Sequence, residues 1–178
     1  ATEKPDLVFA PHVETSSGML LPEEYIRELA HAVHSIDGML VLDCIASGTL
    51  WIDMQNTGVD ILLSAPQKGW SSSPCSALVM LGARALSRIH ETRSTSFACD
   101  LRKWLDIMTA YEQGGHAYHA TMPTDTLIDF RDVMKETETY GFEKAHADQQ
   151  ALGDRVRALL KEKNILSVAA DGFQAPGV

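Results

Sequence analysis

Cysteine is scarce in this chain: Cys44, Cys75 and Cys99 are three residues among 178, far apart and without a CxxC pair. Such usage excludes a zinc ribbon or a disulfide framework and fits a reducing cytoplasm. Positive charge is also in short supply. Fifteen Lys and Arg stand against 24 Asp and Glu, a net charge of −9, which argues against a nucleic-acid backbone or an anionic membrane surface as partner. No apolar run approaches membrane-spanning length, and the first residues lack a signal-peptide pattern. No GxGxxG follows the first apolar run, so a dinucleotide-binding Rossmann unit has no support. Internal repeats, low-complexity tracts and heptads are absent too. What remains is an ordinary globular composition, 45% hydrophobic and 22% charged, with enough apolar material for a core that needs no disulfide or metal.

Short apolar runs alternate with stretches of helical spacing. Leu7-Val8-Phe9-Ala10, bounded by Pro5 and Pro11, predicts a buried strand. Pro22 opens a helix over Glu23 to Ser35, with Tyr25, Ile26, Leu29, Ala30 and Val33 on one stripe. Three more strands are predicted at Met39 to Asp43, Val59 to Leu63 and Ala77 to Leu81, with a helix around 83–91 after the last. From about Asp125 the pattern is helical, through Leu127, Ile128, Phe130, Val133 and Met134 and again over Ala145 to Lys163. Asn164 to Val168 reads as a further strand. Continuous apolar strands between amphipathic helices imply an α/β fold, a three-layer sandwich around a mostly parallel sheet covered on both faces. A boundary is expected within residues 140–163, with 1–140 in a large domain and 141–178 forming a connecting helix and the start of a smaller α+β domain.

In open α/β sheets, ligands collect at the carboxyl ends of the strands. Here those ends carry His12-Val13-Glu14-Thr15-Ser16-Ser17-Gly18, then Asp43-Cys44-Ile45-Ala46-Ser47-Gly48, then Ser64-Ala65-Pro66-Gln67-Lys68-Gly69-Trp70. Hydroxyls, a carboxylate and a lysine thus converge on one rim. Each has a plainer reading as well: Lys68 as a solvated loop residue, Asp43 as a helix N-cap, Thr15, Ser16 and Ser17 as partners of loop backbone. His31/His34 and His116/His119 have the i, i+3 spacing of metal pairs. Neither pair has a carboxylate or cysteine in a known ligand pattern, so no metal site is expected. Cys44 and Cys75 read as small hydrophobes rather than nucleophiles.

The order H-x-[DE]-[ST], D-x-x-A-S, S-x-x-Q-K and then Tyr118-His119-Ala120-Thr121-Met122-Pro123 resembles the class V (fold type I) pyridoxal-phosphate aminotransferases. The resemblance is greatest to the alanine–glyoxylate and serine–pyruvate group and covers nearly the whole chain. It implies pyridoxal 5'-phosphate as cofactor, held by Lys68 as a Schiff base, the internal aldimine. Lys68 would then move the substrate's α-proton. Asp43 matches the carboxylate at the pyridine nitrogen, Ile45 the apolar group on one ring face, and Thr15 the partner of the phenolic oxygen. Ser64 and Gln67 match phosphate contacts. Tyr118 and Thr121 match phosphate contacts supplied by a neighbouring subunit, which implies a homodimer with a shared site. The implied reaction is transamination between a small amino acid and a 2-oxo acid such as glyoxylate or pyruvate.

The resemblance also implies that a glycine- and serine-rich phosphate loop with its stacking aromatic lies upstream of residue 1. The substrate-carboxylate arginine would lie downstream of residue 178. The chain therefore reads as a fragment that would not be active alone. Within the resemblance there are departures. Val13 stands where glycine is common, Ser71-Ser72-Ser73-Pro74-Cys75 replaces a Pro-Gly turn, and Pro66 precedes Gln67-Lys68. Cysteine desulfurases carry histidine before the Schiff-base lysine, whereas this chain has Gln67. The alternatives are a desulfurase-like or phosphonate-transaminase activity on the same fold, or a non-catalytic α/β interaction domain.

Overall fold

A computed structural model describes residues 3–178. The chain forms β1 (Leu7–Pro11), β2 (Val13–Glu14), β3 (Met19–Leu20), α1 (Glu23–His34), β4 (Met39–Asp43), α2 (Met54–Thr57), β5 (Ile61–Ser64) and β6 (Leu78–Leu81). Four helices follow: α3 (Ala83–Ile89), α4 (Leu101–Glu112), α5 (Thr124–Tyr140) and α6 (Phe142–Glu162).

The main sheet has the order β1-β4-β5-β6. β1/β4 and β4/β5 are parallel, while β6 runs antiparallel to β5. Parallel pairing requires crossovers, and α1 and α2 supply them. The sheet is thus mixed but mostly parallel, as the apolar runs imply. β4 is central, and Leu40, Val41 and Leu42 are all buried. Its even positions, with Ala10 and Leu62, meet Ile26 and Ala30 of α1 in the main core. Burying a side chain of this size is worth roughly 1.5–3 kcal/mol, so the β4–α1 contact anchors the domain. The two-sided cover expected from the sequence is incomplete at β1. Leu7 and Phe9, on its other face, remain 41% and 67% exposed.

α1 follows its sequence signals closely. Pro22 sits at the N-cap, Glu23 and Glu24 occupy the first turn, and His31 and His34 the last, a charge order that suits the helix dipole. β5 begins at Ile61 rather than Val59 because the chain leaves α2 through Gly58 in the left-handed region (φ 75°). Asp60 then turns its side chain inward. It is 4% exposed and accepts a hydrogen bond from the Leu40 N–H (2.8 Å), while its carboxylate also meets His34 Nε2 (2.8 Å) and Arg84 Nε (3.2 Å). One buried carboxylate therefore joins α1, β4 and α3 at the amino end of the sheet.

Three further elements were not anticipated, the short α2 among them. α4 begins at Asp100, whose side chain accepts from the Lys103 N–H. The β2–β3 hairpin pairs Val13 with Leu20 and Glu14 with Met19. The strand expected at Asn164 to Val168 does not form. Ile165, Leu166 and Val168 are 57%, 74% and 80% exposed and pair with no strand among the described residues. Extended pairing occurs later, where Gln174 bridges Met19, Leu20 N–H donates to Phe173 O (2.8 Å) and Ala175 N–H donates to Gly18 O (2.9 Å). Residues 173–175 occupy the hairpin edge, while Asn164 (φ 57°) turns the chain at the end of α6. No helix among the described residues is long and apolar enough to cross a membrane.

Replacing Asp60 by Ala leaves the Leu40 N–H without its partner and removes the anchor of Arg84 and His34. The expected loss of unfolding free energy, measured by urea denaturation, is about 2–4 kcal/mol. A loss within about 0.5 kcal/mol of zero, the range of ordinary surface changes, would show that the network does not stabilise the sheet.

Candidate active site

The parallel register aligns the strand ends that matter. Asp43 closes β4 opposite Pro11 of β1 and Leu63 of β5, so the loops after all three strands leave the sheet on the same edge. The His12 N–H donates to Asp43 O (2.9 Å), and the Cys44 N–H to Leu63 O (2.8 Å). Asp43 is half-buried, and its Oδ1 accepts the Ile45 N–H at 2.9 Å. No described residue hydrogen-bonds its Oδ2, so one carboxylate oxygen is held and the other is available to a ligand.

Lys68 sits in a loop closed at its base. Ser72 N–H donates to Pro66 O (3.0 Å) and Ser71 N–H to Lys68 O (2.9 Å), with Ser71 in the left-handed region at φ 58°. Pro66 is fully buried, so the proline that departs from the family pattern serves as the inner anchor of the loop. Lys68 and Gln67 are exposed, and Lys68 has no ion-pair partner among the described residues. Trp70 fixes the far side of the loop. Its ring lies 5.2 Å from Trp51 and 5.8 Å from Phe130, and Trp51 Nε1 donates to Phe142 O (3.0 Å) at the start of α6.

The Lys68 loop and the Asp43 loop touch through two glycines. A Cβ on Gly69 would lie 2.7 Å from the Gly48 carbonyl carbon, and Gly48 itself has φ +65°. Only glycine fits at 69. α6 braces the same place, since Gln149 Oε1 accepts from the Thr49 N–H (2.8 Å) and Thr49 Oγ1 donates to Ala145 O (3.0 Å).

Beyond β1, Glu14 organises the next loop. Its two carboxylate oxygens accept the N–H and O–H groups of both Ser16 and Ser17 at 2.6–3.0 Å. These bonds, Ser17's first and Ser16's next, hold the carboxyl at about 2. Thr15 stands exposed in that turn, and the hydroxyl-rich sequence is thus mainly a turn built on Glu14. Ser64 ends β5, half-buried opposite Leu78. Tyr118 and Thr121 are brought to each other, Oη to Oγ1 at 3.1 Å, with Tyr118 71% exposed. Neither hydrogen-bonds the Lys68, Asp43 or Thr15 loops among the described residues. His119 Nε2 is spent on Phe97 O (2.8 Å), and His34 Nε2 on Asp60.

Sequence reasoning missed the pair that underlies the site. His12 Nδ1 and Ser47 Oγ are 2.7 Å apart, 3% and 2% exposed, with Cys44 Sγ 3.8 Å from the same nitrogen. Burial pushes His12 down to about 4 and the Cys44 thiol up to about 12. At neutral pH the imidazole is therefore uncharged and the thiol inert. Both residues lay inside quoted motifs, but polar residues 35 positions apart give no periodic signal of pairing.

A mixed α/β sheet that gathers a lysine, a carboxylate and hydroxyls at its carboxyl edge defines the class. It is the fold of the pyridoxal-phosphate transferases of fold type I, and a solved alanine–glyoxylate aminotransferase from Nostoc sp. superposes with a TM-score of 0.86 at 21% identity, over 98% of this chain and 45% of that one. The aminotransferase class-V model matches residues 1–174, and the chain belongs to that family of pyridoxal-phosphate-dependent enzymes. Alanine–glyoxylate aminotransferase of Felis catus is 32% identical over 150 residues, 82% of this chain and 35% of the relative. A 2-aminoethylphosphonate–pyruvate transaminase of Paraburkholderia phymatum is 31% identical over 141 residues, 79% of this chain and 36% of the relative. The chain thus spans about a third of the length of these curated relatives.

The buried imidazole has a consequence for stability. In the unfolded chain His12 takes up a proton near 6.5, whereas in the folded chain it does so only near 4. More protons are bound by the unfolded state between those values, so this contribution is full above about pH 6.5 and is lost as pH falls toward 4. The loss should be on the order of 3 kcal/mol, read by denaturant titrations at stepped pH. His12→Asn should flatten this slope; an unchanged slope would contradict the assignment.

Proposed function

We propose that this chain is part of a pyridoxal-phosphate-dependent aminotransferase that moves an amino group between a small amino acid and a 2-oxo acid such as glyoxylate or pyruvate. The observation that carries the reading is the packing of Gly69 on Gly48, which sets the Lys68 loop against the Asp43 loop. Family membership and the kinship to alanine–glyoxylate aminotransferases support it.

The side chains present suit the cofactor. Among the described residues Lys68 has no ion-pair partner and Asp43 Oδ2 accepts no hydrogen bond, and Thr15 and Gln67 offer exposed donors. When bound, pyridoxal phosphate supplies an electron sink for the substrate's α-carbon. Lys68 would hold the cofactor through its amine, and the same amine, when free, would take and return the substrate's α-proton. Asp43 Oδ2 would hold a proton on the ring nitrogen. Ile45 would lie against the ring and keep water from it, and Thr15 would donate to the phenolic oxygen. Ser64 and Gln67 would bind the phosphate.

Tyr118 and Thr121, exposed and paired with each other, complete the phosphate site of a second copy, so the working unit is a homodimer. In this reading residues 1–140 belong to the large domain and 141–178 to the connecting helix and the start of the small domain, a division that falls at the break between α5 and α6. Three unpaired cysteines accord with a cytoplasmic setting. The Paraburkholderia phymatum relative favours one second reading, with 2-aminoethylphosphonate as amino donor and pyruvate as acceptor. Assay of both donors against both acceptors separates the two.

Mixing the full-length protein with pyridoxal phosphate should give a visible absorption band, and borohydride should then trap the cofactor on Lys68. Lys68→Ala should abolish both signals and cut transamination by on the order of 10³-fold. No band, or one that Lys68→Ala leaves unchanged, would sink the assignment.

A further inference from the structure

Asp43 owes its geometry to a loop rather than to its own strand. Among the described residues its Oδ1 is held by the Ile45 N–H alone, at 2.9 Å, so the direction of Oδ2 follows wherever Ile45 lies. Ile45 is in turn carried by a turn of backbone in which the Ser47 N–H donates to Cys44 O at 3.2 Å. Apolar packing holds other parts of that turn, Cys44 in the main core and Ala46 against Val13, Leu50 and Ala175, while Ile45 itself is half-buried.

One residue brackets the turn at both ends. The His12 N–H donates to Asp43 O (2.9 Å), and the His12 ring, through Nδ1, reaches Ser47 Oγ (2.7 Å). We propose that the buried His12–Ser47 pair is a positioning device for Asp43, clamping residues 43–47 so that one carboxylate oxygen stays bound to the Ile45 amide and the other is presented to the cofactor's ring nitrogen. The inference rests on the assignment of Asp43 to that nitrogen.

The chemistry of the pair suits this task. A hydrogen bond made by two groups that are almost wholly buried holds its geometry, because water cannot substitute for either partner. The ring is neutral at neutral pH, so it adds no positive charge beside Asp43. The carboxylate therefore keeps its full attraction for a proton on the cofactor. The clamp also reaches α6, since Gln149 Nε2 donates to Ser47 O (3.4 Å). Cys44 Sγ, 3.8 Å from the same ring nitrogen, fills the remaining space as an inert group.

The test uses the full-length protein and pyridoxal phosphate as the probe, with His12→Phe, Ser47→Ala and His12→Asn made in the native and the Asp43→Asn backgrounds. In the native background His12→Phe and Ser47→Ala should weaken cofactor binding about tenfold, as expected for a buried bond that has lost one partner. His12→Asn, which keeps an amide near the Nδ1 position, should stay within about threefold of the parent. In the Asp43→Asn background the losses should shrink to less than about threefold, because the group being positioned no longer carries the charge. A merely structural pair would lower stability equally and weaken binding by the same factor in both backgrounds, which would overturn the proposal. So would unchanged binding by Ser47→Ala, the milder variant that serves if His12→Phe does not fold. If the parent protein itself takes up no cofactor at Lys68, the functional reading fails and this inference with it, an outcome distinct from equal losses in the two backgrounds.

Discussion

The site depends on a backbone contact in which no side chain takes part: Gly69 lies on the Gly48 carbonyl, closer than any Cβ would permit. This contact joins two loops that leave neighbouring parallel strands, one ending in Asp43 and the other carrying Lys68. Parallel pairing brings the strand ends level, but the loops beyond them could still diverge. The two glycines hold them together. Around that point the chain concentrates its remaining restraints: Pro66 buried beneath the lysine loop, Trp70 wedged among Trp51, Phe130 and Phe142, and Gln149 laid over Gly48 and Thr49. A reactive lysine can be exposed and still be well placed because its neighbours, rather than its own contacts, fix the loop.

The two ends of the sheet divide the work. At the amino end, the buried Asp60 carboxylate gathers the Leu40 amide, His34 and Arg84 into one network that ties helices to strands. At the carboxyl end, buried polar groups are spent on loops instead. The buried His12 and Ser47 secure the turn after β4, while at the surface the exposed Glu14 secures the turn that holds Thr15. Buried polar groups are costly unless paired, and here each paired set either unites elements of the fold or steadies a loop of the site. The apolar core, dominated by Leu40, Leu42, Ile26 and Ala30, lies between them.

Much of this was legible in the sequence where a periodic or capped pattern existed. Continuous apolar runs marked β1, β4 and β6, and Pro22 with its acidic turn marked α1. The order of Thr15, Asp43 and Lys68 along successive strand ends pointed to one rim. Features without period were not legible. α4 begins on a capping Asp100 that nothing nearby distinguished from other loop aspartates. The antiparallel run of the edge strand β6 leaves no trace in composition, because a short apolar run reads the same in either direction. The apolar Ile165-Leu166-Ser167-Val168 had the composition of a strand but no edge to pair with, and pairing needs both. The His12–Ser47 bond and the Gly48–Gly69 approach arise only when distant loops meet, so no local reading could have found them.

A crystal structure of the full-length protein grown with pyridoxal phosphate is the most direct measurement of the central claim, that Lys68 and Asp43 serve one cofactor from adjacent strand ends. Continuous density is expected from Lys68 Nζ into the cofactor, with Asp43 Oδ2 at hydrogen-bond distance from the ring nitrogen. Cofactor bonded to another lysine, or an Asp43 carboxylate turned away from the bound ring, would contradict it.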